Sequence, residues 1–303
     1  MKRQLNKQLA KYTRNVLVEK LLKDYELKSE DVVETVEMYY DCQKLRMMHA
    51  NKERSEPQSP PDPDDDLAPD NIDPDDPENL EKLRLVPWFA YWLQMGEQVM
   101  ATKLKEWVIG PTSPDEAKWA ISQIGIGPII AAGLAAHIDP EKARSISSVW
   151  KFAGLAPGFD RKIKGKKLQY NARLKCLCWK LGESFVKVSG KDGAVYGKLY
   201  SQFKSDEVSR NENGQYSRQA KEELSRKTFA KDNTTKKCLL EGKLANAHLH
   251  SRAKRRAVKI FLSHYWTVAR ETRGLPVRKP YAIAVLNHDG EIEANREEDD
   301  QNM

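Results

Sequence analysis

The chain has few of the residues that would staple a small secreted fold. Its 4 cysteines, Cys42, Cys176, Cys178 and Cys238, make no disulfide framework. Cys176 and Cys178 stand two apart on a predicted helix and point to different faces. With no second Cys pair and no nearby His they are poor zinc ligands. Long apolar runs are also missing: no stretch approaches the ~20 residues of a membrane span. The opening Met1-Lys2-Arg3-Gln4 lacks a signal-like apolar core. These absences predict an intracellular, cytoplasmic protein with no membrane partner, nucleoid-associated if bacterial. There is no internal repeat. There is no P-loop either, because Gly125-Ile126-Gly127 is not followed by Gly-Lys-Ser/Thr.

Sites for metals and reactive groups are equally sparse. Asp62 to Asp76 carries many carboxylates, but a flexible run cannot hold metal geometry alone, and the spacing of a calcium-binding loop is missing. His248 and His250 diverge on a helix. A His248–Ser251 pair lacks an orienting third group. No metal site, no cofactor and no catalytic residue are assigned from these patterns.

What the chain has is positive charge, unevenly placed. The net charge is +7. Glu141 to Lys279 holds 33 Lys/Arg against 12 Asp/Glu, a surplus of +21, which leaves −14 for the rest. Such a segment suits a polyanion, and nucleic acid is the usual one.

The organisation is nearly all α. Residues 1–56 form N-terminal helices, with Val16, Leu17, Leu21 and Leu22 as one apolar stripe and a second helix opening at Ser29-Glu30-Asp31. Residues 57–79 are an acidic Pro/Asp-rich linker that cannot offset its ordering entropy. Residues 80–111 form an aromatic-rich helix in which Trp88 and Trp92 share a face, read as core packing. A larger unit spans 112–288, starting at the helix signal Ser113-Pro114-Asp115-Glu116, and 289–303 is an acidic tail. Within the larger unit, 209–217 reads as a loop and 218–242 as weakly periodic. About 245–272 is a long basic-apolar helix stopped by Gly274 and Pro276, and Ala282 to Leu286 could be one short strand.

The most informative stretch is Gln123-Ile124-Gly125-Ile126-Gly127-Pro128. It reads as a helix, a glycine turn and a proline-started helix, a mainly α architecture with a helix-hairpin-helix element. Such a turn presents amides at Gly125, Ile126 and Gly127 beside the positive end of a helix dipole, where a phosphate can sit. A basic loop carries Lys162, Lys164, Lys166 and Lys167, and the last helix carries Arg252, Lys254, Arg255 and Arg256.

Three pieces in order resemble the C-terminal domain of IS110/IS116/IS902-type transposases. They are Ile124 to Ala132, Trp150 to Pro157, and Asn171-Ala172-Arg173-Leu174-Lys175; the helix Ala253 to Val268 completes the order. The likeness covers roughly 115–275, with about 205–245 looking like an insertion. It implies DNA binding, with Arg173 among the contacting residues, and association with recombination in a mobile element. Two features depart from the family: the N-terminus is helical and Lys-rich rather than RuvC-like, and no Ser lies between Gly158 and Asn171. The expectation is therefore a nucleic-acid-binding protein, DNA before RNA, without family-type serine catalysis and open to homo-oligomer formation. The alternatives are an active recombinase with relocated catalytic residues, or a non-enzymatic RNA-binding or assembly protein of a mobile element or virus.

Overall fold

The computed structural model describes residues 22–55, 85–159, 164–230 and 233–278. The stripe residues Val16, Leu17 and Leu21, the linker at 57–79, Lys162, the strand at 282–286 and the tail at 289–303 lie outside them. Among the described residues the chain is mainly helical, with ten α-helices and no strand. It divides into two compact units, one up to Ser113 and one from Pro114.

In the first unit a 3-10 turn, Ser29–Asp31, leads into α1, Val32–Ser55, which packs against α2, Leu85–Ile109. Val32 and Val36 on α1, and Leu93, Leu104 and Val108 on α2, are buried. Arg46 donates to the buried Glu97 carboxylate at 2.5 and 3.2 Å, so the enclosed charge is met by a fork of two N–H groups. Trp92 corrects the core-packing expectation: it is 41% exposed and stacks on the equally exposed Phe89, with ring centroids 6.0 Å apart. Trp88, its partner on that face, has no described side chain.

The second unit begins with α3, Asp115–Ser122, a turn, and α4, Pro128–His137. Pro114, rather than Ser113, stands at the cap of α3, where its carbonyl accepts the Ala117 and Lys118 amides. Pro128 takes the first position of α4, as its missing N–H favours. Next come α5, Ile146–Phe152, capped by Ser145, and α6, Ala172–Lys187, capped by Asn171, whose Oδ1 accepts the Leu174 amide at 2.9 Å. α7 is Val195–Glu212, α8 Ser217–Arg226, α9 Thr234–Leu240 and α10 Asn246–Glu271. Helix α10 packs along α7 and also meets α3, α5 and α6.

Phe261 of α10 is fully enclosed, and rings from three other helices close around it. Trp119 stacks at 5.5 Å, Phe185 tilts at 5.7 Å and Tyr196 meets it edge-on at 5.0 Å. The buried Tyr196 hydroxyl shares a 2.8 Å hydrogen bond with His264, which satisfies both polar groups inside the core. Burial pushes the Tyr196 phenol well above its usual range, so it stays neutral. The α6–α7 corner requires glycine at 197: a Cβ there would lie 2.9 Å from the Ser189 Cα and the Val188 carbonyl oxygen.

The C-terminal end of α10 is fixed by polar contacts. Trp266 Nε1 donates to the Ala143 carbonyl at 2.6 Å, and Arg270 donates to the Pro140 and Pro276 carbonyls. Arg273 forms a two-pronged bond to the buried Glu116, at 2.7 and 2.9 Å. Gly274 then adopts φ +62° and ends the helix as its sequence position predicts.

The loop expected at 209–217 is shorter than expected: α7 continues to Glu212 and α8 opens at Ser217, which leaves a turn at 213–216. The core-facing positions of α7 there are polar. Asn211 exchanges two hydrogen bonds with the Leu244 backbone, at 2.9 and 3.1 Å. Glu207 accepts from Tyr216 at 2.7 Å and from Arg252 at 2.6 Å. Beyond α7 a small second cluster forms from Tyr216, Ala220, Leu239, Leu244 and Leu249.

Two measurements check this account. Arg273→Met should cost about 3 kcal/mol, because it strands the buried Glu116 carboxylate, Glu116→Gln should cost clearly less, because the Arg273 side chain it leaves is partly exposed, and the double variant should lose less than the sum. Urea midpoints of the four proteins give that coupling. Burial acts to raise Glu207, but hydrogen bonds from Tyr216 and Arg252 hold it below its ordinary 4.5. A lowered carboxylate contributes stability that is whole above 4.5 and fades as pH falls through its folded value. Glu207→Gln should flatten the acid limb of a stability-versus-pH curve.

Candidate nucleic-acid interface

The glycine turn is tied tightly to the fold. Gly125 has φ +100°, and a Cβ there would press on Val188 at 3.0 Å. Its carbonyl accepts a short hydrogen bond from the Ser184 hydroxyl. The Ile126 amide, expected to face a ligand, donates instead to Gln123 at 3.0 Å, and the Ile126 side chain is buried. The Ile130 and Ala131 amides both turn back to the Gly127 carbonyl. Of the expected amides, Gly127's stands ahead of α4, where helix geometry provides no internal partner.

The three sequence pieces that carried the family resemblance meet around α6. Ser184 of α6 holds the glycine turn. The Asn171 amide donates to the Phe152 carbonyl at 2.8 Å, joining α5 to the start of α6. Gly154 has φ +65°, and a Cβ there would strike Tyr170 and Lys175, each at 3.0 Å. Tyr170 in turn lies beneath the Lys175 amine, 4.2 Å from the ring centroid. The basic loop thus runs directly into the rim of this junction. Lys164, Lys166 and Lys167 are exposed and form no ion pair among the described residues. Arg173 is exposed in the first turn of α6.

The four cations of α10 divide. Arg252 is bonded to Glu207 and lies over Tyr216 at 4.6 Å. Lys254 bonds Glu183. Arg256 lies 4.0 Å over the Phe203 ring and 3.6 Å from Glu207. These three serve packing between α10, α6 and α7, and their charge is partly neutralised. Arg255 alone of the four is exposed with no ion pair among the described residues.

Two hollows flank α10. One, of about 240 Å³, lies between α6 and α10 and presents Lys175, Trp179, Lys254 and Arg255. The other, about 550 Å³ and polar, lies between α8 and α10 and presents Glu223, Arg226, Lys227, His248, Arg252 and Arg255. Ser251 and Arg255 line both, so the hollows adjoin. Sequence reading singled out neither Trp179 nor the polar hollow.

Candidate nucleophiles are otherwise engaged. Ser148 Oγ donates to Ser145 at 2.5 Å, Ser251 Oγ to Ala247 at 2.9 Å, and Ser184 to Gly125. His248 does have the third group its sequence position could not reveal, since Nδ1 lies 3.4 Å from Glu223. Burial, with Arg252, Lys227 and Arg255 nearby, nevertheless holds its pKa below 6.5. With Ser251 turned to its own helix, the serine–histidine bond of a nucleophilic pair is not formed. Tyr200 shares a 2.6 Å hydrogen bond with His250, but burial raises its phenol. Among the described residues no three His, Cys, Asp or Glu gather as a metal site, and no helix is long and apolar enough to cross a membrane.

Compared with protein-family models, curated proteins and solved structures, the chain matches none.

The hollow offers a direct chemical check. Cys178, which lines it, is buried and has its thiol pushed up to about 12, whereas Cys176 is exposed. Since the thiolate is the reactive form, a maleimide should modify Cys176 in the native protein and Cys178 only after unfolding. Peptide mass spectrometry distinguishes the two.

Proposed function

We propose that this chain is a nucleic-acid-binding protein, DNA before RNA, built on a transposase-type C-terminal domain. The observation that carries the reading is the run of exposed lysines at 164, 166 and 167, without an ion pair among the described residues, within a segment of surplus +21. Solubility alone does not call for so large a charge of one sign. The loop follows the phosphate backbone, and Arg255 extends the basic surface on the far side of the α6 junction. The helix-hairpin-helix role of 115–137 contributes through Gly127, with less amide donation than the bare motif suggests, because Ile126 already has a partner. Phosphate contacts of this kind position a protein without reading sequence. The recombinase alternative gains no serine: Ser148 and Ser184 both serve the local backbone.

Replacing Lys162, Lys164, Lys166 and Lys167 with Ala should weaken DNA affinity similarly across unrelated sequences. Each lost duplex phosphate contact lowers the log–log salt slope by about 0.9. Titrations at several salt concentrations read the slope directly. An unchanged slope would assign the loop to the solvated surface.

A further inference from the structure

We infer that the hollow between α6 and α10 seats one unpaired nucleobase stacked on Trp179, with the adjoining phosphate on Arg255. The inference deepens the nucleic-acid reading above and rests on it. It makes the preferred ligand a single strand, or a base turned out of a duplex, rather than a closed helix.

Trp179 is 61% exposed. It sits off the buried face of α6, which is formed by Leu174, Leu177, Cys178, Leu181 and Phe185. A lone exposed apolar side chain needs no explanation. This one stands at a hollow whose buried lining, Cys178, Gly182 and Val258, is apolar and whose rim is cationic. A flat ring beside cations is the arrangement that grips single strands: every base has a π-face, and every linkage has a charge. At about 240 Å³ the hollow suits one ring system rather than a bulky ligand. Its walls are close. A Cβ on Gly182 would lie 3.3 Å from Val258, and one on Gly154 would meet Lys175 at 3.0 Å.

The cations are arranged for the same ligand. Lys254 is held by Glu183 and lies 5.7 Å from the Trp179 ring centroid, so it steadies the indole. Arg255 is exposed. From Arg255 the surface continues into the polar hollow, where Arg226, Lys227 and Arg252 outnumber the single carboxylate, Glu223. Glu223 is already engaged by Lys227 at 3.0 Å. With Lys227 paired to Glu223 and Arg252 to Glu207, a strand leaving Trp179 meets Arg255 and then the exposed Arg226. A duplex keeps its base faces stacked inside and offers this ring only its backbone.

The test uses the full chain with oligodeoxythymidylate, oligouridylate, a duplex and an abasic strand, all of equal length and at one salt concentration. Trp179 is exposed, so Trp179→Ala leaves the core intact, which an unchanged melting temperature verifies. Trp179→Ala should weaken single-strand binding about tenfold, and Trp179→Phe should restore most of it. Duplex and abasic-strand affinity should stay within about twofold, with the salt slope unchanged. The deoxy and ribo strands show which sugar the site accepts. Single-strand affinity that ignores Trp179, or an equal loss on the duplex, overturns the stacking seat while leaving the phosphate reading intact. So does a polyglutamate competitor whose binding depends equally on Trp179. If the wild-type chain binds none of the four nucleic acids, the broader reading falls too.

Discussion

The enclosure of Phe261 is the contact on which the second unit depends. Its ring has no exposed surface, and Trp119, Phe185 and Tyr196 reach it from α3, α6 and α7. Aromatic rings bury large areas with defined tilt, so one such nucleus orients several helices at once. The polar contacts at the end of α10 act on helices already placed by it. The Glu116 carboxylate, for example, can be buried only because Arg273 arrives beside it at a fixed height.

Helix α10 also has to serve two surroundings. Its C-terminal half is core, and its N-terminal half carries four cations within the five residues 252–256 beside apolar neighbours. Burying such cations without partners would be costly, so the fold supplies Glu207, Glu183 and aromatic faces to three of them. Arg255 instead stands exposed at the edge of both hollows, with no ion pair among the described residues. The basic surface is thus narrower than the charge count implies, and it is concentrated where loop, junction and hollow meet.

Much of the helical layout was legible in the sequence. The acidic first turn of α3, Pro128 at the start of α4 and Gly274 as a stop are local signals, and the structure uses each one. Residues 209–212 were misread because Glu207 and Asn211 occupy core-facing positions. Their hydrogen-bond partners, Arg252 and Leu244, are distant in sequence and invisible to an apolar periodicity. The pairing of Arg252, Lys254 and Arg256 was hidden for the same reason. Trp179 was legible in principle: counting the apolar face from Leu174 through Leu181 leaves it outside, and an indole left off that face is a signal. The engagement of the Ile126 amide had no sequence signature, because it depends on the conformation of the turn itself.

The small cluster of Tyr216, Ala220, Leu239, Leu244 and Leu249 has a separate consequence. It draws only Leu249 from α10 and leaves α8 and α9 with few buried apolar residues of their own. Protein segments held by so little area open far more often than the core they border. Hydrogen exchange would register α8–α9 as a cooperative unit of its own, exchanging before the amides around Phe261. The outer wall of the polar hollow is therefore built from the part of the second unit that unlocks first.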